Sequence, residues 1–291
     1  MTIDIQHLKQ WEGKVESCAD RIAPNPIAAL AATLGNEARI QAPADELPPL
    51  WHWLYCLPVA LRSELDSDGH PVRGGFLPPV PLPRRMWAGG RLTFLRPLRV
   101  GDAIERTSRV VSVTAKEGRS GSLVFLLVRH EFGNAEGPAV VEEQDIVYRE
   151  RPSGLAPAAQ PTSASTHSLW EERIHPDEVL LFRYSALTFN GHRIHYSRNY
   201  ATQEEGYPGL VVHGPLIATL LLDLLSRRMP LARVASFSFR ATHPLFDTGD
   251  FQLCGAPSED GRTVELWARD ENGHLAMQAQ AVLAAATPIN P

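Results

Sequence analysis

The residues best able to do chemistry lie between Tyr184 and His213, in Tyr184-Ser-Ala-Leu-Thr-Phe-Asn-Gly-His-Arg-Ile-His195 and the later His213-Gly214-Pro215. Imidazole is the side chain whose ordinary pKa suits proton transfer near neutral pH, so His195 is the leading general acid/base. Gly214 falls where the free N–H groups of a following helix begin, and without a β-carbon it lets a ligand oxygen approach. An N–H aimed at a thioester carbonyl stabilises the charge that develops there when water adds to a conjugated double bond, by about 3 kcal/mol. Asn190 cannot take a proton, although its carbonyl can hold a water or a histidine N–H. Asn190-Gly191 is equally an ordinary turn pair. His192, His195 and His213 raise the question of zinc; the three-residue spacing needs a helix, the Asn-Gly pair argues for a turn, and no metal is expected.

These groups need a scaffold. Leu216-Ile-Ala-Thr-Leu-Leu-Leu-Asp-Leu-Leu-Ser-Arg-Arg228 is apolar on nearly every face except at Asp223, the pattern of a helix enclosed by sheet. Pro215 suits the first helical position, while Arg227 and Arg228 complement the far end of the dipole. Asp223 is expected to face a polar partner rather than to act as a catalytic acid. Antiparallel strands are expected at 103–113, 123–132, 251–255, 263–268 and 275–285. A short helix is expected over 25–35, with Asn25 as cap and Gly35 as stop. Periodicity leaves 48–57 open between strand and helix, and the aromatic run Trp51 to Tyr55 reads as core or pocket wall.

Two stretches look like copies of one another: Leu92-Thr-Phe-Leu-Arg-Pro97-Leu98-Arg-Val-Gly101-Asp102 and Phe237-Ser-Phe-Arg-Ala-Thr-His-Pro244-Leu245-Phe-Asp-Thr-Gly249-Asp250. Each runs from an alternating strand through Pro-Leu to a Gly-Asp turn, which points to duplication. Between them the chain turns to Pro, Ala, Ser, Thr and Gly, a composition that packs poorly. The expected division is 1–151, a connector at 152–169, and 170–291.

With 291 residues, 44% of them hydrophobic, the chain can bury a large core. A net charge of -5 and the absence of any basic run longer than two residues give no sign of a nucleic-acid partner or an anionic membrane surface. Cys18, Cys56 and Cys254 are odd in number and widely spaced, which suits free thiols in a reducing compartment. No apolar run approaches a membrane span and the first residues do not read as a signal, so a cytoplasmic location is expected.

Phe189-Asn190-Gly191-His192-Arg193-Ile194-His195 resembles the hydratase 2 motif of MaoC-like (R)-specific enoyl-CoA hydratases, Gly-Asp-x-Asn-Pro-Leu-His. His195 matches the motif's catalytic histidine, and His213-Gly214 matches the His-Gly pair before the family's central helix. Asn190 stands where the family has its catalytic aspartate, His192 where it has asparagine, and Arg193 where it has proline. Met86-Trp-Ala-Gly-Gly-Arg-Leu-Thr-Phe and Glu142-Glu-Gln-Asp-Ile-Val-Tyr-Arg-Glu are similar to a subgroup that holds the FAS1-like dehydratases and the hydratases of mesaconyl-C4-CoA (3-methylfumaryl-CoA) and itaconyl-CoA.

The resemblance implies an α+β double hotdog, two antiparallel sheets each wrapping a helix and fused in one chain, with a degenerate first half and a catalytic second half. It implies reversible hydration of a 2-enoyl-CoA, a branched C5 dicarboxylic acyl group such as mesaconyl-C4-CoA or itaconyl-CoA, with no cofactor beyond the CoA thioester substrate. Alternatives are a 3-hydroxyacyl-ACP dehydratase of fatty acid synthesis and a non-catalytic acyl-CoA-binding hotdog. The implied catalytic set is His195, Asn190 and Gly214, with His192, His213 and Tyr184 lining the substrate. A free carboxylate on the substrate needs a buried cation, for which Arg183, Arg193 and Arg198 are candidates. Arg84, Arg85 and Arg240 are candidates for CoA phosphates, and 74–79 for the acyl-pocket lining. Exposed sheet edges make a homodimer an expectation.

Overall fold

Alternating apolar and polar residues produce strands wherever they run for more than a few positions, because successive side chains point to opposite faces of a pleated chain. A computed structural model of the protein describes residues 3–41, 45–118, 121–150 and 161–285. Its first half holds strands β1 (Val15–Arg21), β2 (Arg84–Phe94), β3 (Ala103–Gly118), β4 (Gly121–Asn134) and β5 (Gly137–Arg149). Its second half holds β6 (Trp170–Ile174), β7 (Val234–Ala241), β8 (Phe251–Pro257), β9 (Thr263–Asp270) and β10 (Leu275–Leu283). Helices are α1 (Ile5–Lys9), α2 (Pro24–Thr33), α3 (Glu37–Gln41), α4 (Glu178–Leu187) and α5 (Gly214–Arg228).

All ten strands form one sheet in the order β1-β3-β4-β5-β2-β7-β10-β9-β8-β6. Read outward from the centre, the second five strands repeat the order of the first five, as two copies related by a pseudo-twofold axis would. The matching Leu98 and Leu245 are both buried, and their carbonyls accept the N–H groups of Leu47 and Val212. The copies join where β2 pairs with β7, Gly90 opposite Phe239 and Leu92 opposite Phe237. Gly89 and Gly90 make that seam possible: a β-carbon on Gly89 would lie 2.5 Å from the Phe239 carbonyl, and one on Gly90 would lie 3.0 Å from the Phe239 ring.

In the second half α5 crosses β8, β9 and β10, and every residue from Leu216 to Leu225 is buried. Its 15 residues run about 22 Å. The first half carries a separate apolar cluster. Val80 and Leu82, from the proline-rich run before β2, pack with Leu8 against Val110, Val113, Val124, Leu126 and Tyr148. Pro78, Pro79, Pro81 and Pro83 exclude a helix there, since proline lacks the N–H and clashes with the preceding turn. Arg73 clamps this segment through the Val80 and Pro83 carbonyls, at 2.7 and 2.9 Å.

The expected cap of the first long helix is corrected. α2 starts at Pro24, its N-cap is Ala23 with no side-chain bond, and Asn25 sits within the first turn because Pro24 already occupies the first helical position. Gly35, at φ +68°, follows the helix end as expected. Residues 51–54 form a 3-10 helix, held to β5 by Glu142, which accepts from His52 Nε2 at 3.0 Å and Trp53 Nε1 at 3.1 Å. Of the expected connector, 152–160 lies outside the described residues, and 162–164 bonds along the turn at 273–275.

Asp223, the acid on the buried helix, is fully partnered: Asn36 Nδ2 donates to Oδ1 at 2.8 Å and Arg227 Nε to Oδ2 at 2.9 Å. Arg227 continues to Glu172 at 2.7 and 3.0 Å. Removing one partner of a buried ionic group leaves the others unsatisfied. Asp223→Ala is therefore expected to lower stability by about 3 kcal/mol in urea unfolding; a loss below about 1 kcal/mol would show that the network contributes no more than a surface pair.

Candidate active site

α4 delivers the site. Asp177 caps it by accepting the Leu180 N–H at 2.7 Å, and Leu181, Tyr184 and Ser185 form its buried face. Thr188 ends it, its hydroxyl donating to the Tyr184 carbonyl at 2.8 Å. The chain then reverses through Phe189, at φ +51°. This is the left-handed region that a glycine enters freely, and Phe189 holds the position where the resembled motif has glycine. Asn190 N–H bonds back to the Ser185 carbonyl at 2.8 Å, and the His192 N–H donates to Asn190 Oδ1 at 3.0 Å. Asn190 therefore closes an Asx turn with the oxygen expected to hold water or a histidine ring.

A 3-10 turn over Arg193–His195 follows. His195 is 8% exposed, and its Nδ1 lies 2.7 Å from the Val211 carbonyl. A carbonyl only accepts, so Nδ1 carries the proton and Nε2 is left as a free acceptor. Val211 N–H in turn donates to the Ile194 carbonyl at 3.0 Å, locking 194–195 to the segment that enters α5. His213, the N-cap of α5, is wholly buried, and its ring stacks on His195 with centroids 3.7 Å apart and planes 18° apart. Ser185 Oγ meets His213 Nε2 at 2.8 Å, and Tyr184 packs edge-on at 5.1 Å. His213 Nδ1 is buried with no partner among the described residues.

Gly214 is the first residue of α5, directly after the ring that carries His195. A β-carbon there would find Met277 and the Trp87 carbonyl at 3.9 Å, an ordinary contact. The free amide at the helix start, rather than relief of crowding, is what this position offers.

The expected arginines separate. Arg193 joins the halves: its N–H donates to the Asp68 carbonyl at 2.9 Å, its Nη1 to the Ser67 carbonyl at 3.1 Å, and its guanidinium lies 4.4 Å above the Tyr200 ring. Arg198 is held by Asp247 and Glu178, its Nε 3.1 Å from the Glu178 carboxylate, and so is committed elsewhere. Arg183 is exposed on α4, and Arg240 is exposed on β7. Arg84 pairs with Glu205 at 3.0 Å and stacks over Tyr207. Arg85 has no ion pair among the described residues, and its charge bears on both His70 and His192.

Asp68 and His70, from the first half, complete the cluster. The His70 ring lies 4.2 Å from His192, which in turn stands edge-on to His195 at 5.5 Å. The sequence carries a signal for this pair, because Asp68-Gly69-His70 repeats the form of Asn190-Gly191-His192. Ligand atoms of Asp68, His70 and His192 lie within 4.8 Å of one another, close enough to hold a metal ion.

Burial pushes the imidazoles toward the neutral form. It is the main cause that lowers His195 to about 4, His70 to about 4 and His192 to about 2, and it holds His213 well below the usual range; neighbouring imidazoles add to it at His195, His192 and His213, and Arg85 and Arg73 at His70. At neutral pH these rings are uncharged acceptors.

The fold is that of a double hotdog. A solved MaoC-like dehydratase from Phytophthora capsici aligns over 99% of the chain and 100% of its own, with TM-score 0.74 and 13% identity. A double-hotdog protein from Mycobacterium tuberculosis aligns over 94% of the chain and 96% of its own, with TM-score 0.56 and 14% identity. Residues 50–247 match the model of hydroxyacyl-thioester dehydratase type 2. A mesaconyl-C(4)-CoA hydratase of Chloroflexus aurantiacus is 47% identical over 270 residues, covering 92% of this chain and 95% of that protein. The chain belongs to the hydroxyacyl-thioester dehydratase type 2 family, among the MaoC-like dehydratases.

The depressed histidines link stability to pH. The unfolded chain binds protons near 6.5, whereas folded His70 and His195 wait until about 4. The unfolded state therefore holds more protons between these values. Stability is full above 6.5 and falls as the pH drops toward 4. Thermal unfolding of a His195→Gln variant should show a slope over this window shallower by about one proton; an unchanged slope would place His195 in water.

Proposed function

We propose that the chain is a hydro-lyase that adds water reversibly to the double bond of a 2-enoyl-CoA, with a branched C5 dicarboxylic acyl group of the mesaconyl-C4-CoA type as substrate. The 47% identity to a mesaconyl-C(4)-CoA hydratase across nearly the whole of both chains carries this reading. The site supports it with an imidazole acceptor stacked on His213, the residue that precedes α5.

In this reading His195 Nε2 takes a proton from water as the oxygen bonds to the β-carbon. The double-bond electrons move toward the thioester oxygen, where the Gly214 N–H and the helix dipole meet the growing charge. The proton returns from His195 to the α-carbon as the carbonyl re-forms. Val211 holds the tautomer throughout, and the stacked His213 keeps the ring from rotating away. Asn190, closing its turn, sets the position of His192.

A dicarboxylic acyl group brings a second negative charge. Leaving that charge unpaired in the pocket would cost several kcal/mol, on the order of 3 or more. Arg73 and Arg193, also beside the cluster, are spent on backbone carbonyls, whereas Arg85 has no ion pair among the described residues, so it is assigned to the free carboxylate.

Hydration is read as loss of enoyl-thioester absorbance with mesaconyl-C4-CoA, itaconyl-CoA and crotonyl-CoA. Mesaconyl-C4-CoA should turn over fastest, and His195→Ala should lower kcat on the order of a thousandfold. Near-wild-type turnover in that variant removes His195 from the mechanism, and binding without turnover of any of the three favours an acyl-CoA-binding protein. Arg85→Ala is expected to lower kcat/KM for mesaconyl-C4-CoA about a hundredfold, consistent with the loss of a buried charge-assisted bond. Crotonyl-CoA, which lacks the carboxylate, should change less than threefold; equal losses on both would reject the assignment.

A further inference from the structure

The second half lacks a carboxylate at its motif, and a carboxylate is present at the cluster all the same. It comes from the first half, in a turn built like the one it meets. Asp68 Oδ1 accepts the His70 N–H at 2.8 Å, as Asn190 Oδ1 accepts the His192 N–H at 3.0 Å. The two Asx-Gly-His turns lie backbone to backbone. A β-carbon on Gly191 would sit 2.6 Å from the Gly69 carbonyl, and one on Gly69 would collide with the Gly191 carbonyl. Gly69 has φ +89°, a conformation a side chain rarely adopts. Arg193 ties the pair through the Asp68 and Ser67 carbonyls. Such docking leaves His70 little freedom and puts its ring 4.2 Å from His192.

Asp68 also spends its second oxygen on the ring: Oδ2 lies 3.0 Å from His70 Nδ1. An ionised carboxylate only accepts, so it fixes the proton on Nδ1 and leaves Nε2 as an acceptor, the same tautomer that Val211 imposes on His195. Burial opposes ionisation of Asp68, but bonds from the His70 ring and backbone outweigh it and hold the carboxyl well below its usual range. The charged and titratable groups that bear on His70 and His192 are Asp68, His195, Arg73 and Arg85. Asp68 is the anion among them.

Resting on the hydratase reading above, we propose that Asp68 and His70 are the carboxylate-backed acceptor that the second half has lost, with His70 Nε2 holding the attacking water jointly with His195. One O–H bond of that water breaks and its proton goes to His195 Nε2. The oxygen bonds to the β-carbon, and the double-bond pair moves to the thioester oxygen. The other O–H stays on the new hydroxyl and donates to His70. His195 then returns its proton to the α-carbon as the enolate pair forms the C–H bond, so no group ends changed. Asp68 offsets the positive charge that His195 carries in between.

The test compares the full chain with His70→Ala, Asp68→Asn and His195→Ala, folding being checked by circular dichroism. Hydration of mesaconyl-C4-CoA is followed between about pH 3 and 8. His70→Ala should lose about a hundredfold in kcat with KM within threefold, and added imidazole should restore part of the rate. Asp68→Asn, nearly isosteric, should lose about tenfold and move the acid limb of kcat/KM to lower pH, because an imidazolium without its counter-charge deprotonates more readily. Near-wild-type rates and pH profiles in both, with His195→Ala inactive, would overturn the pair's role and leave the hydratase reading standing. Loss of rate with a raised KM, an unmoved pH profile and no imidazole rescue would assign Asp68 and His70 to structure alone. Activity abolished by a chelator and restored by zinc would make Asp68, His70 and His192 metal ligands instead. A wild-type chain that hydrates no enoyl thioester removes the reading and the proposed pair together.

Discussion

Enclosure of α5 by the second-half strands is the constraint on which the rest of the molecule depends. A helix buried on every side from Leu216 to Leu225 cannot slide or rotate without opening cavities, each worth several kcal/mol, roughly 2–5 for a leucine-sized void. Its first amide is thereby fixed, and so is the ring of His213 in front of it. His195 stacks on that ring and is tied by Nδ1 to Val211, so the candidate base inherits the rigidity of the core. Asp223 is tolerated within this helix because Asn36 and Arg227 satisfy both of its oxygens.

The two halves share a strand order but have diverged in their interiors. In one, α5 is enclosed by the sheet; in the other, the 3-10 helix at 51–54 packs with Ile104 and Phe132, and Val80 and Leu82 on a proline-rich segment form a separate cluster with β3, β4 and β5. The first half also contributes a loop. That loop reaches the histidine turn of the second half, where a pair of glycines lets two backbones meet at a distance no other residue allows. Gly89 and Gly90 serve the same end at the β2–β7 seam, so close backbone approach between the copies recurs at two places.

Electrostatically the site is a set of shielded neutral imidazoles with one carboxylate beside them. Burial keeps His70, His192, His195 and His213 uncharged at neutral pH, which preserves their acceptor nitrogens. A cost accompanies this arrangement, since any proton a ring takes up during reaction is poorly solvated. Asp68 brings a negative charge to His70, and the amino end of α5 follows His213.

Much was legible in the sequence, where the physics is local. The apolar length from Leu216 to Leu225 announces an enclosed helix, alternation announces the strands, and Asn190, His192, His195 and His213 mark the candidate site. The cap of α2 was misread at Asn25 because Pro24 competes for the first turn, and 51–54 could not be resolved because its 3-10 helix depends on Glu142, on a distant strand. Arg198 looked available beside the motif until Glu178 and Asp247 closed on it. Asp68 and His70 passed unnoticed although their Asx-Gly-His pattern copies the one singled out. Local residue order thus determined the elements and the candidate chemistry. Which charge faces which ring was decided only by the packing of the two halves, because electrostatic and backbone contacts act through space between segments whose separation along the chain says nothing of their distance.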